Sequence, residues 1–470
     1  MLNLWGYTPL EWVALGGYEL LLFAGLFFLI GALDDLAVDL AWIWLKLTGK
    51  VPSRTVNRDF WAEQPLAGQA VVMIPTWQES HVVGATISHA LKAWPHKDLR
   101  IYVGCYRNDS ETAAAVMQAA GADSRVRLIL HGRDGPSSKA DCLNRIFKAL
   151  EEDERRSGMR ARMVLLHDAE DMVDPAALSL LDRAMDDAQF VQLPVLPEVQ
   201  RGSRWVAGHY CDEFAESHGK AMVVREGLGA GLPAAGVGCA FARDALDVIA
   251  ADNGPGQPPF ASDSLTEDYE LGLRIGQLGG KSRFLRVRGD DGRLVATRAY
   301  FPGTLVEAVR QKTRWIHGIA FQGWDRLGWE GRAIDRWMRL RDRRGPLTAI
   351  VLAAAYLFFV VATALWLFSL AGLVEMPEPG IALRIILALN VLSFMWRGVF
   401  RAAFTTREYG LGEGLLAIIR IPFANVITIM AGRRALAAYI RALNGEPAAW
   451  DKTEHRLHPA MMPADERALS

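Results

Sequence analysis

Cysteine is scarce in this chain, and nothing in its spacing pairs it. The four residues Cys105, Cys142, Cys211 and Cys239 form no CxxC and no Cys/His cluster. A zinc site and a disulfide framework therefore lack support, and buried free thiols in a reducing compartment are expected. An excess of one charge is missing too. A net charge of -1 over 470 residues leaves no electrostatic footprint for nucleic acid, and no such partner is expected. No GxGxxG or GxxxxGK[ST] signature opens a helix, which counts against a dinucleotide dehydrogenase and a P-loop NTPase. Internal repeats and low-complexity blocks are absent as well.

Apolar residues are plentiful. They make up 51% of the chain, with a mean hydropathy of +0.10, while charged residues stay at 22%, so the two kinds must be segregated along the sequence. Ala349 to Val374 runs without one charge, long enough to span a hydrocarbon core about 30 Å thick. Val13 to Leu33 is also of spanning length, interrupted by Glu19, and the basic residues Lys46, Lys50, Arg54 and Arg58 all follow it. That asymmetry places the N-terminus outside and the next domain in the cytoplasm. No basic residue precedes the run and no clear small-residue cleavage site follows, so an anchor is expected rather than a cleaved signal peptide. Ile381 to Phe400 returns after the short acidic loop Glu375 to Gly380. Gly410 to Ala431 is apolar but carries Glu413, Arg420, Pro422 and Asn425, which suits an interface or re-entrant helix better than a full span. The expected layout is a transmembrane helix and juxtamembrane segment over 1–54, a cytoplasmic domain over 55–345, transmembrane and interface helices over 346–432, and a cytoplasmic tail over 433–470. A fourth crossing at 411–431 is the alternative, and it would move the tail outside.

Within the cytoplasmic part, strand-like and helix-like runs alternate. Ala70 to Ile74, Arg100 to Cys105, Val126 to Leu130 and Met163 to Leu166 read as strands; Ser80 to Ala93, Glu111 to Ala120 and Lys139 to Glu152 read as helices. Such alternation predicts an α/β domain with a parallel sheet, whose ligands collect at the carboxyl ends of the strands. Glu79, Asp109 and Asp168 all follow strands.

Three short segments carry candidate chemistry. His167 to Asp171 (HDAED) sits on a strand-to-loop edge, where alternation can point two carboxylates the same way. Such a pair suits a hard cation that shares its shell with water and a diphosphate; a solvated acidic turn is the plainer alternative. Thr266, Glu267 and Asp268 open a helical segment, where an acid can simply favour the helix dipole or, facing a cleft, take a proton from a hydroxyl. Gln311, Arg314 and Trp315 share one helical face, offering a fork for phosphate, a bond for a hydroxyl and a flat surface for a sugar ring. A juxtamembrane helix at the lipid interface, near Trp324, Trp329 and Trp337, would use the same residues. Gly236, Val237 and Gly238 fit either a close approach to a sugar or a plain turn.

Together these segments resemble the membrane-integrated family 2 glycosyltransferases of GT-A fold, the group containing cellulose, hyaluronan and chitin synthases, and within it a bacterial family of phage-adsorption proteins. The resemblance covers about residues 10 to 455. It implies a GT-A nucleotide-diphospho-sugar transferase domain joined to α-helical transmembrane and interface helices. It also implies residue roles: Pro75 and Glu79 beside the nucleotide, Asp109 at the uracil, and Lys139, in KADCLN, near base and diphosphate. Asp168 and Glu170 would hold Mg2+ or Mn2+ in place of a DxD motif. Thr266, Glu267 and Asp268 would be the catalytic TED, with Asp268 as base, and Gln311, Arg314 and Trp315 the QxxRW segment. The implied partners are a UDP-sugar donor, a growing glycan or lipid-linked acceptor, membrane lipids and an outer-membrane export partner. The setting is the bacterial inner membrane, and the donor a UDP-N-acetylhexosamine such as UDP-N-acetylmannosamine. There are departures from the pattern. Glu170 stands where the family usually has Asp, Arg298 to Thr304 (RAYFPGT) takes the approximate place of the cellulose-synthase gating loop, and the tail, including Trp450 to His455, is too short for the cyclic di-GMP sensor domain such proteins can carry. Arg384, Arg397 and Arg420 are candidates either for lining an export path or for snorkelling.

Overall fold

A computed structural model describes residues 8–374, 378–445 and 457–461. Part of the loop expected over Glu375 to Gly380, and the Trp450 to His455 segment, lie outside the described residues. The centre of the molecule is a seven-stranded sheet. In chain order its strands are β1 (Ala70–Pro75), β2 (Leu99–Tyr106), β3 (Val126–His131), β4 (Met163–Leu166), β5 (Phe190–Gln192), β6 (Cys239–Ala242) and β7 (Ser282–Phe284), arranged β3-β2-β1-β4-β6-β5-β7. Every residue of β1 and β4 is buried, because helices cover both faces of this part of the sheet and its strands can be apolar throughout.

Strand alternation divides the core in two. Val72 and Ile74 point towards α2 (Val83–Ala93) and α3 (Ser110–Ala120), packing with Val83, Ile87 and Val116. Val71 and Met73 face α4 (Lys139–Ser157), where Leu143, Ile146, Phe147 and Leu150 recur at helical spacing. Strands β1 to β4 are parallel, as the alternating pattern predicts. The remainder departs from that expectation. β6 runs antiparallel to both β4 and β5, and β5 pairs in parallel with β7, so the sheet is mixed. CAFA and FVQ are too short to encode direction; neighbouring edges decide it.

Among the described residues, four helices are long and apolar enough to cross a membrane: α1 (Pro9–Leu47), α9 (Gly345–Leu370), α10 (Ile381–Tyr409) and α11 (Leu411–Leu443). The last passes through Pro422 and runs well beyond Arg433, where a polar tail was expected. Their charged residues are spent on the sheet domain and on each other. Arg420, 1% exposed, pairs with Asp212 of α5 (Val206–Glu216) at 2.7 Å and with Glu413. Arg401 meets Glu216 at 3.1 Å, Arg286 meets Glu408 at 2.9 Å, and Lys220 bridges Asp39 and Glu216 at 2.6 and 2.7 Å. Asp34 and Asp35 of α1 collect Arg341, from α8 (Ala333–Arg343), together with Arg344. Arg397 joins Asp35 at 2.5 Å, and Arg384 pairs with Glu378 at 2.9 Å. All four cysteines are buried free thiols.

Candidate active site

The carboxyl ends of β1 and β4, the loop before β6, the first turn of α6 (Glu267–Gln277) and one face of α7 (Leu305–Trp315) enclose a cavity of about 780 Å³. Pro75, Glu79, Lys139, Asp168, Glu170, Thr266, Glu267, Asp268, Gln311, Arg314 and Trp315 all line it. Asp109 does not. It caps α3, accepting from Thr112 N–H, and its other oxygen accepts from Gln78 N–H at 2.5 Å, so it stands behind the lining and fixes the backbone beside Glu79. Gln78 has φ 54, a strained value for a residue with a side chain.

The acidic turn after β4 is built from within. Asp171 is 2% exposed; its Oδ2 lies 2.8 Å from His167 Nδ1 and accepts from Asp168 N–H at 3.0 Å. Asp171 is therefore a structural brace, which leaves Asp168 and Glu170 on the wall. Burial pushes the Asp171 carboxyl upward, against the pull of His167. Lys139, at the start of α4 behind its N-cap Ser138, reaches Asp168 Oδ1 at 2.6 Å. Burial opposes the Lys139 charge, but Asp168, Glu267 and Asp268 outweigh it and hold the ammonium above the ordinary lysine range.

At the head of α6, Asp268 Oδ1 accepts from its neighbour Tyr269 N–H at 2.7 Å. Gly236, at φ 78, brings backbone against the other oxygen; a Cβ there would overlap the carboxylate. The Gly-Val-Gly segment thus makes a close approach to a carboxylate of the site, a contact that neither the sugar reading nor the plain-turn reading named. Burial raises the Asp268 carboxyl, with Lys139 working against the rise. It raises Glu267 to about 8, helped by the Asp268 charge. Thr266 Oγ1, Glu267 Oε1 and Gln311 Oε1 are buried without a hydrogen-bond partner. Buried polar atoms left unsatisfied cost about 1–3 kcal/mol each, and a polar group entering the cavity would offset that cost.

The opposite wall is aromatic. Phe301 packs on Phe214 at 4.9 Å and on Tyr210 at 5.1 Å, and Trp315 stands edge-on to Tyr210 at 5.9 Å. Lys312, in the same turn as Trp315, is neutralised by Glu213 at 2.6 Å. His218 also lines the cavity, with Nδ1 accepting from Val195 N–H at 2.8 Å and burial depressing its pKa to about 4. Sequence reasoning missed Phe214, Glu213 and His218, because α5 and the turn that follows it carry no motif; Phe301 sits in RAYFPGT, which the sequence presents only as a departure. Two π-helical turns, Ser217–Ala221 and Ile316–Gln322, follow α5 and α7 beside the site, a distortion often found at functional positions.

Asp168 and Glu170 offer only oxygen donors, on a wall open to the cavity. Among the described residues no three His, Cys, Asp or Glu side chains converge into a cage. Two carboxylates without a cage fit a hard cation that completes its shell with diphosphate and water.

A mixed sheet of GT-A-like type, with residues 266–268 and 311–315 around one cavity and joined to long apolar helices, is the architecture of a glycosyltransferase. The chain belongs to the family Glycosyltransferase like family 2, whose model matches residues 68–318. It is 33% identical over 456 residues to Bacteriophage adsorption protein B of Escherichia coli (strain K12), and equally to Bacteriophage N4 adsorption protein B of Escherichia coli O157:H7. Each alignment covers 91% of this chain and 60% of the relative's own length. Among solved structures it is similar to mannosyltransferase PcManGT from Pyrobaculum calidifontis in complex with GDP-Man and Mn2+, with 16% identity, a TM-score of 0.46, and coverage of 87% of this chain and 99% of that one. Glucosyl-3-phosphoglycerate synthase from Mycobacterium tuberculosis in complex with Mn2+, uridine-diphosphate and phosphoglyceric acid gives 17% identity and a TM-score of 0.35, covering 56% and 80%.

Proposed function

We propose that this glycosyltransferase is inverting, draws on a UDP-sugar of the N-acetylhexosamine class such as UDP-N-acetylmannosamine, and builds a surface or secreted polysaccharide processively, passing it across the bacterial inner membrane. The observation that carries the reading is the meeting, in one cavity, of the Asp168–Lys139 pair, buried Asp268 and the Gln311, Arg314 and Trp315 face. Asp268 takes the proton of the acceptor hydroxyl as its oxygen bonds the anomeric carbon. The carbon–oxygen bond to the diphosphate breaks on the opposite side, and UDP departs with that electron pair. Arg314 stabilises the departing charge, Gln311 and the Trp315 ring hold the acceptor sugar, and the Lys139 charge works against the burial that raises Asp268. Mg2+ or Mn2+ held by Asp168 and Glu170 would supply neutralising charge to the diphosphate. The names of the phage-adsorption relatives support a product at the cell surface, where an outer-membrane export partner would receive it.

Three crossings with α11 lying on the interface remain the favoured topology. Its support is that α11 touches the sheet domain along its whole length: Arg420 on Asp212, the Ala431 carbonyl accepting from Thr313 Oγ1 at 3.5 Å, and Tyr439 Oη donating to Asp325 at 3.0 Å. Residues 457–461 also contact the domain, which supports the same reading. Purified protein given UDP-N-acetylmannosamine or UDP-N-acetylglucosamine with Mg2+ or Mn2+ is expected to release UDP and make high-mass polymer of inverted configuration. A single sugar added to a lipid-linked acceptor would replace the processive reading with the non-processive one.

A further inference from the structure

The C-terminal segment 457–461 reaches back over most of the chain to the turn that holds the two cavity acids. His458 is fully buried, whereas Leu457 and Met461 on either side are 58% and 60% exposed, so the contact is made by a small insertion rather than a broad packed face. The ring is oriented at both nitrogens. Nδ1 accepts from Ala460 N–H at 3.0 Å, which puts the ring proton on Nε2, and Nε2 donates to the Asp171 carbonyl at 3.2 Å, 287 residues away in sequence.

That carbonyl belongs to a turn whose backbone is fixed bond by bond. The Asp168 carbonyl accepts from Asp171 N–H at 3.3 Å, and the Ala169 carbonyl accepts from Thr86 Oγ1 of α2. Asp168 N–H is taken by the Asp171 carboxylate at 3.0 Å, and Met172 exchanges two backbone bonds with Arg298 at 2.7 and 2.9 Å. His458 supplies the bond to the Asp171 carbonyl, a buried acceptor that water cannot easily reach.

We propose that His458 is a positioning residue for the donor side of the site: it holds the turn so that Asp168 and Glu170 are placed to hold a cation against the nucleotide diphosphate. The proposal rests on the glycosyltransferase reading above, and it makes the segment after α11 a working part of the site. An unpaired buried carbonyl costs enough to open the turn about tenfold more often, and misplacement of a positioning group lowers turnover without removing any reacting group.

The test uses the whole protein in detergent or nanodiscs, with His458→Ala, His458→Gln and Thr86→Val. Hydrogen exchange at amides 168–172 is measured alongside binding of UDP with Mn2+ and the split between kcat and KM for the UDP-sugar. His458→Ala is expected to raise exchange about tenfold in that turn alone, to weaken UDP binding and to lower kcat. His458→Gln, whose amide can still donate, restores all three. Thr86→Val, which removes the companion bond, reproduces the local exchange signature and serves if the alanine variant does not fold. Unchanged exchange at 168–172, exchange raised across the whole sheet, or no recovery with glutamine would each overturn the proposal. Wild-type protein that binds no UDP would sink the glycosyltransferase reading instead, while the exchange measurement still decides the contact.

Discussion

Asp268, Glu267 and Lys139 share one buried electrostatic problem, three acids including Asp168 around a single ammonium. Asp268→Asn keeps the shape and removes the base, so turnover should fall about 10²–10⁴-fold with UDP binding retained; undiminished transfer would exclude Asp268 as base. Lys139→Met takes away the shared counter-charge, so Glu267 and Asp268 titrate higher. The acid limb of the pH–rate profile should then move to higher pH, as steady-state kinetics across pH 5 to 8 would record. Glu267 also leaves a mark on stability. Its folded pKa, about 8, lies above the ordinary glutamate value of 4.5, so the native state binds the extra proton between the two. Stability therefore falls as pH rises through that window. Glu267→Gln removes this fall: relative to wild type the variant should gain in melting temperature at pH 8 and gain little at pH 5. The motif residues were legible in the sequence because their types and spacing carry the chemistry. Asp171 and Asp109 were less so, since whether an acid faces a ligand or a backbone N–H is decided by a turn of a few degrees.

Helix α11 shows how an element changes meaning when its partners are known. Glu413, Arg420 and Pro422 looked like blemishes in an apolar run, and Arg420 was a candidate for an export path or for snorkelling. Its guanidinium is instead enclosed by Asp212, Glu413 and the Gly208 carbonyl. Burial already pushes Asp212 to about 7, although Arg420 draws it down. Arg420→Met should cost about 3–5 kcal/mol, because it leaves a carboxylate buried without its partner. Adding Asp212→Leu should recover much of that loss, and thermal unfolding in detergent would measure both. Strands β1 and β4 were readable as buried strands from their unbroken apolar runs. The antiparallel insertion of β6 was not, because four residues of CAFA fit either direction equally well.

At the scale of the molecule, ion pairs fasten the sheet domain to the long helices: Lys220 to Asp39, Arg401 to Glu216, Arg286 to Glu408, and Arg341 to Asp35. A helix set bound this tightly keeps the cavity in fixed register with the long helices. The position of the chain after α11 can be tested directly. All four native cysteines are buried, so Asn444→Cys gives a single accessible thiol, which should react with an impermeant reagent only from the cytoplasmic face. Labelling from outside would mean that α11 crosses.

The sequence by itself determined the class of chemistry, the order of its motifs and the apolar runs, because these depend on residue type and local spacing. Tertiary structure alone decided the rest. It turned the Asp171 carboxylate onto His167 and a backbone N–H, put Asp109 behind the wall, set Phe301 and His218 upon it, buried Arg420 against Asp212, and seated His458 on the acidic turn. Each of those outcomes depends on which distant group arrives to fill a vacant hydrogen bond or offset a buried charge, and no stretch of neighbouring residues specifies that partner.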